Sequence, residues 1–289
     1  MWYQLQIDQC LRDEVENISE ALEETGALSI TLTDKYDKPV LEPAPGTTPL
    51  WPDVIVNALY NDEAIALDAK AIMIGKFTNL SFSINELAEQ AWERVWMDEF
   101  KPTRFGKRLW ICPTWIEPPD YNGVNLILDP GLAFGTGTHS TTSLCLHWLD
   151  QADLKDKTLI DYGCGSGILA LAALKLGAAK AYAIDIDEQA LTATRNNASS
   201  NSIDRSQIII DFPQSLQNPV DLIIANILLA PLLDLGMKFS QLIKEEGRLV
   251  VSGLLEEQAA ELIRAYQEHF NHQKTSIEDG WALLEFKRK

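Results

Sequence analysis

Residues 161–170 read DYGCGSGILA: an acid, three glycines at alternate positions and an apolar run of helical spacing, directly after the strand-like TLIDY. Glycine tolerates positive φ and lets a ligand approach the backbone to contact distance. A loop between the carboxyl end of a parallel strand and the next helix is where doubly wound sheets bind ligands. Gly163 and Gly165 are therefore candidate ligand contacts, with the amides that open the helix expected to face what binds. The order D-x-G-x-G-x-G differs from the G-x-G-x-x-G of dinucleotide folds, and an acid at the strand end, Asp161, suits a cationic ligand better than a pyrophosphate. Asp185 ends the next strand-like run, AYAIDID, where a carboxylate can accept both hydroxyls of a ribose.

A second glycine-rich stretch, DPGLAFGTGTHSTT (129–142), precedes a helical pattern and is expected to cover the site. Its Thr138 and Thr142 are candidates to contact the ligand, and Ser140 or Thr141 is the expected helix cap. His139 has no Ser, Cys or Asp partner placed by the sequence and receives no chemical role. In DLIIANILLAPL, Asn226 follows an apolar run and precedes Pro231, so its amide lies at the same carboxyl edge, facing an amine or a methyl group. S-adenosylmethionine meets these demands, with ribose hydroxyls for Asp185 and a positive tail for the glycine loop. No catalytic acid or base is assigned. No metal site is expected: Cys10, Cys112, Cys145 and Cys164 form no CxxC pair, and His269 and His272 read as a solvated turn.

The elements that must position these residues fall into two sets. WYQLQID (2–8), ALSITLTDK (27–35), VIVNALYN (54–61) and LSFSINEL (80–87) read as strands, separated by helices at 11–26 and 62–76. The order β-α-β-β-α-β is that of a ferredoxin-like α+β unit, expected over residues 1–87. A linker helix follows at 88–100, with Trp92 and Trp96 on one face. Short strands at 108–115 and 124–131 lead into strand–helix repeats from about residue 140, closed by an antiparallel pair. Such repeats mean a parallel sheet covered on both faces, an α/β Rossmann-like domain over 101–289.

The chain of 289 residues carries 42 acids and 24 bases, a net charge of −18. Residues 1–88 hold 15 of the acids and only five of the bases. A surface of that sign repels phosphate backbones and attracts cationic partners, which counts against nucleic acid as substrate. The first 14 residues contain charges where a signal peptide needs an apolar run, and the longest apolar helical stretch (168–174) is far short of a membrane span. A cytoplasmic protein with reduced thiols is the expectation.

These motifs together resemble a known family. LDPGLAFGTGTHSTTSLCL, IDYGCGSGILALAALKLGAAKA, IDIDEQA and ANILLAPL, with AWERVWMDEFKPTRFGKRLWICPTW, resemble the bacterial ribosomal protein L11 methyltransferases, within the class I S-adenosylmethionine-dependent enzymes. The likeness covers nearly the whole chain, with residues 1–60 least constrained by it. It implies a seven-stranded methyltransferase domain with a smaller N-terminal domain that captures ribosomal protein L11. It implies methylation of lysine side chains and of the N-terminal α-amine, up to three methyls each. Cofactor contacts carry over to Thr142, Gly163, Asp185 and Asn226, and the expected state is a monomer. Three rivals remain at this point. A nicotinamide-dependent dehydrogenase would need a hydride-transfer acid or base. A nucleic-acid amino methyltransferase would be expected to carry N/D-P-P-Y/F where this chain has NILL. A non-enzymatic acidic binding module would bind no S-adenosylmethionine.

Overall fold

The computed structural model describes residues 1–36, 49–87, 100–129 and 139–289. The expected linker helix with Trp92 and Trp96, and the candidate Thr138, lie outside the described residues. By its internal contacts the chain divides into two units, Met1–Val95 and Trp96–Lys289.

In the first unit, alternation along Trp2–Leu11 (β1) buries Leu5 and Ile7, and a bulge then brings Cys10 into the same core. The Glu14 carboxylate accepts the Leu11 N–H at 3.0 Å and starts the helix Val15–Glu24 (α1), whose Val15, Ile18 and Leu22 recur at helical spacing on the buried face. Ser29–Asp34 (β2), Asp53–Tyr60 (β3), Glu63–Lys76 (α2) and Phe82–Leu87 (β4) follow. Asp62 caps α2 by accepting the Ala64 and Ile65 N–H groups. The sheet order β2-β3-β1-β4, antiparallel throughout, is the expected ferredoxin-like arrangement.

The second unit opens with a small sheet of Thr103–Phe105 (β5), Leu109–Cys112 (β6) and Val124–Ile127 (β7); the sequence pattern shows only the last two. After the helix Ser140–Gln151 (α3), seven strands alternate with helices: Thr158–Tyr162 (β8), Ile168–Lys175 (α4), Lys180–Ile184 (β9), Glu188–Ser200 (α5) and Ile208–Asp211 (β10). Val220–Asn226 (β11), Leu229–Leu242 (α6), Ile243–Leu255 (β12), Ala259–Tyr266 (α7), Phe270–Glu278 (β13) and Trp281–Arg288 (β14) complete it. The order is β10-β9-β8-β11-β12-β14-β13, and β14 pairs antiparallel with both neighbours. The closing antiparallel pair is as expected, but β14 folds back between β12 and β13.

Both faces of this sheet are buried, as a parallel sheet requires. Leu222 and Ile224 join the core on the side of α3 and α4, whereas Ile223 and Ala225 join the core on the side of α6 and α7. His272 lies in β13, its ring edge-on to Phe286, so it is not in a turn with His269.

Candidate active site

The chain runs from β8 outward through β9 to β10, then returns across β8 to β11. Between the carboxyl ends of β8 and β11 the connections leave in opposite directions, and a crevice opens there for physical rather than accidental reasons. A cavity of about 490 Å³ occupies it, within the range usual for ligand sites. Thr142, Gly163, Gly165, Asp185 and Asn226 all line it, so five of the six sequence candidates converge from four separate stretches of chain.

Each is placed by its element. Gly163 has φ +77°, and a Cβ there would stand 2.3 Å from Ile227 Cγ2. Gly167 has φ +79° at the N-cap of α4, with Thr194 Cγ2 2.6 Å from where a Cβ would sit. The loop is therefore glycine by steric necessity at both ends. Its amides, however, are not turned to the ligand. Gly163 and Cys164 donate to Ile184 O at 2.7 and 3.0 Å, and Gly167 donates to Cys164 O at 2.7 Å. Gly165 donates to Asp185 Oδ2 at 2.9 Å. What the loop offers is close approach to backbone, not spare donors.

The Gly165 bond also aims Asp185. Its other oxygen, Oδ1, accepts the Asp187 N–H at 3.1 Å, so the carboxylate is clamped from both sides while each oxygen keeps lone pairs for a further hydroxyl. Ile186, 83% exposed, stands beside it as an apolar wall that the sequence reading missed. An isoleucine next to an acid at a strand end was the available signal. Asp234 and Leu235, one turn into α6, also line the cavity and were not singled out.

Asp161 has a different job from the one its position suggests. It is buried, does not line the cavity, and its Oδ2 accepts the Ala170 N–H at 2.9 Å. Gly167 has no side chain to cap α4, and the Asp161 carboxylate takes over that task for the third residue of the helix. Oδ1 is buried with no partner among the described residues. Burial pushes this carboxyl up to about 7; the Ala170 N–H opposes the shift and the negative Asp185 adds to it.

On the opposite wall, Asn226 Nδ2 donates to Thr142 Oγ1 at 3.2 Å. With that bond made by Nδ2, the amide oxygen of Asn226 is buried and has no partner among the described residues. A buried acceptor without a donor is costly unless a ligand supplies one. The cap of α3 is His139, whose Nδ1 accepts the Thr141 N–H at 3.3 Å, and not Ser140 or Thr141; Ser140 instead donates to Asp279 Oδ2 at 2.9 Å. The His139 ring packs edge-on against Trp281, burial lowers its pKa, and it is absent from the cavity wall.

The donor set fits a ribonucleoside with a cationic tail. Asp185 can take two hydroxyls, Ile186 can cover a base, and the glycine backbone leaves room for the tail. Among the described residues, the charged ones lining the cavity are both acidic, Asp185 and Asp234. No group of three metal-ligating side chains occurs among the described residues, and all four cysteines are free and buried.

This strand order, with a glycine loop after the first strand and a carboxylate after the second, defines a class I methyltransferase domain using S-adenosylmethionine. The comparisons with known proteins narrow that class. Residues 1–289 match the family "Ribosomal protein L11 methyltransferase (PrmA)". A protein of that name from Legionella pneumophila subsp. pneumophila is 61% identical, with 100% of both chains covered. One from Haemophilus influenzae is 46% identical, covering 100% of this chain and 99% of its own. The crystal structure of a ribosomal protein L11 methylase from Lactobacillus delbrueckii subsp. bulgaricus matches with TM-score 0.60 and 34% identity, over 66% of this chain and 100% of that one. The chain belongs to the ribosomal protein L11 methyltransferase family.

Proposed function

We propose that this protein transfers methyl groups from S-adenosylmethionine to lysine side chains and the N-terminal amine of ribosomal protein L11. We place that work in the cytoplasm, carried out by a monomer. Thr142, Gly163, Gly165, Asp185 and Asn226 hold the cofactor, joined by Thr138 of the preceding loop. Residues 1–87 hold the protein substrate.

Bound in the cavity, S-adenosylmethionine supplies an electrophilic methyl on a sulfonium. The rest falls to the chain. An attacking amine must be neutral, and free lysine has a pKa of about 10.4 against about 7.7–8.0 for an α-amine. A mouth with apolar walls (Ile227, Pro231, Leu235) disfavours the ammonium form by desolvation. The Asn226 side-chain oxygen accepts a hydrogen bond from the amine and orients its lone pair. Asp234 lies on the same wall and favours approach of a cation. The amine's proton leaves to water, and no side chain is required as general base.

The observation that carries this reading is the convergence of Thr142, Gly163, Gly165, Asp185 and Asn226 on one cavity whose lining, among the described residues, contributes carboxylates and no cation. To test it, the protein is incubated with labelled cofactor and a ribosomal extract lacking the endogenous activity, and the labelled protein is identified by mass. Ribosomal protein L11 is expected to carry the label. With Asp185→Ala the cofactor affinity drops at least about tenfold, the worth of one charge-assisted hydrogen bond, while the protein stays folded. Label on a different protein, or an unchanged affinity in the variant, defeats the reading.

A further inference from the structure

An acid four residues before a lysine on one helix face normally pairs with it. Asp234 and Lys238 stand in that relation on α6, in the more favourable of the two orders. Lys238 is drawn elsewhere. Its Nζ donates to the Tyr162 hydroxyl oxygen at 3.2 Å and stands 5.3 Å from the centre of the Tyr162 ring. That ring is fixed in turn, edge-on to Phe239 with centroids 5.2 Å apart and an interplanar angle of 78°. Tyr162 ends β8 and lines the cavity immediately before Gly163, so the glycine loop and the side chain that detains Lys238 share one strand end.

Asp234 is thereby left as an exposed carboxylate on the cavity wall, with no hydrogen-bond or ion-pair partner among the described residues. Its place gives it no helix-end duty. It is the sixth residue of α6, beyond the first turn in which a carboxylate stabilises a helix start. Pro231, a turn before it, and Leu235, next to it, line the same cavity and are apolar. A lysine side chain matches those surfaces, its aliphatic stem suited to apolar atoms and its ammonium to a carboxylate.

We propose that Asp234 receives the substrate's amino group as an ammonium, and that Tyr162 is a positioning residue that keeps this carboxylate open by holding Lys238 away from it. This rests on the reading of ribosomal protein L11 as substrate and names the residue that selects its amines. Charge decides both halves. A neutralised Asp234–Lys238 pair would offer an incoming ammonium no net field, whereas an unpaired carboxylate on the cavity wall attracts and orients it. Asp234 acts as a binding group and not as a base, since the amine's proton leaves to water.

The test uses the full chain in three variants: Asp234→Asn, Tyr162→Phe, and Tyr162→Phe with Lys238→Met. Methylation of purified ribosomal protein L11 is followed against its concentration at low and high salt, with cofactor affinity by calorimetry. Asp234→Asn should raise KM for the protein about threefold at low salt, the worth of one exposed ion pair. Tyr162→Phe leaves Asp234 in place but frees Lys238 to pair with it, so KM should rise by a similar factor. Adding Lys238→Met removes the competing cation and should return KM toward the wild-type value, a rescue that a merely structural role for Tyr162 does not provide. At about 1 M salt, where the Debye length falls to about 3 Å, these differences should shrink. If wild type methylates ribosomal protein L11 and Asp234→Asn keeps its KM, the proposal is wrong while the substrate reading stands. The same holds if Tyr162→Phe leaves KM unchanged, or raises it without rescue by Lys238→Met. A drop in cofactor affinity with Asp234→Asn, at unchanged KM for the protein, would assign the carboxylate to the cofactor instead. No methylation by wild type would overturn the substrate reading and this one with it.

Discussion

Asp161 shows how far a residue's type and position can mislead about its work. Motif spacing marked it as a ligand group, yet its carboxylate caps a helix from inside the core. Because burial holds its carboxyl at about 7, above the unfolded value near 3.8, the folded state binds the proton more tightly. The stability this contributes is fully present below the unfolded pKa and is lost as pH rises through about 7. Asp161→Asn removes the titration. Between about pH 4 and 7 the wild type should lose stability relative to this variant, on the order of 1–4 kcal/mol at 1.36 kcal/mol per unit. Urea unfolding of both proteins across that range measures the difference; parallel pH profiles would show that the buried carboxyl is not the source.

At the scale of elements, the small sheet before α3 is tied down by one side chain. Asp150, at the end of α3 and nearly buried, accepts the Lys107, Arg108 and Leu109 N–H groups at 2.7, 3.0 and 3.1 Å. A Cβ on Gly106 would come within 2.2 Å of its Oδ2, so the turn between β5 and β6 closes onto the carboxylate. Truncating Asp150→Ala leaves three amides without their acceptor. The expected loss is about 2–4 kcal/mol in the urea midpoint analysis, well above a surface substitution. A loss under about 1 kcal/mol would mean that water replaces the carboxylate without cost. The strand–helix repeats were legible because apolar runs such as LIIAN and RLVV cannot sit anywhere but inside a sheet covered on both faces. Strand β5 was not legible: a three-residue strand, TRF, has no period, and it exists because Asp150 organises the turn beside it.

For the whole molecule, each unit has its own hydrophobic core, one around Leu5, Ile18 and Met73, the other two on the faces of the seven-stranded sheet. The described residues that line the candidate cofactor cavity belong to the second unit. Ligand binding stabilises by mass action, about 2.7 kcal/mol at a hundredfold excess over Kd. Scanning calorimetry with S-adenosylmethionine should therefore move one of two transitions upward and leave the other in place. A single transition that shifts as a whole would show that the units unfold together.

The sequence by itself determined the ferredoxin-like unit, the parallel sheet and five residues that line the candidate cavity. Each follows from local patterning: apolar periodicity, a glycine loop after a strand, an acid at a strand end. Tertiary structure alone decided what those groups have left to offer. Whether the loop amides are free, which way the Asn226 amide points and where the Asp161 carboxylate goes depend on partners such as Ile184, Thr142 and Ala170. The Thr142 partner, and Ile184 as seen from Gly163, are remote in sequence, and hydrogen-bond competition among such groups is settled only once the sheet brings them together.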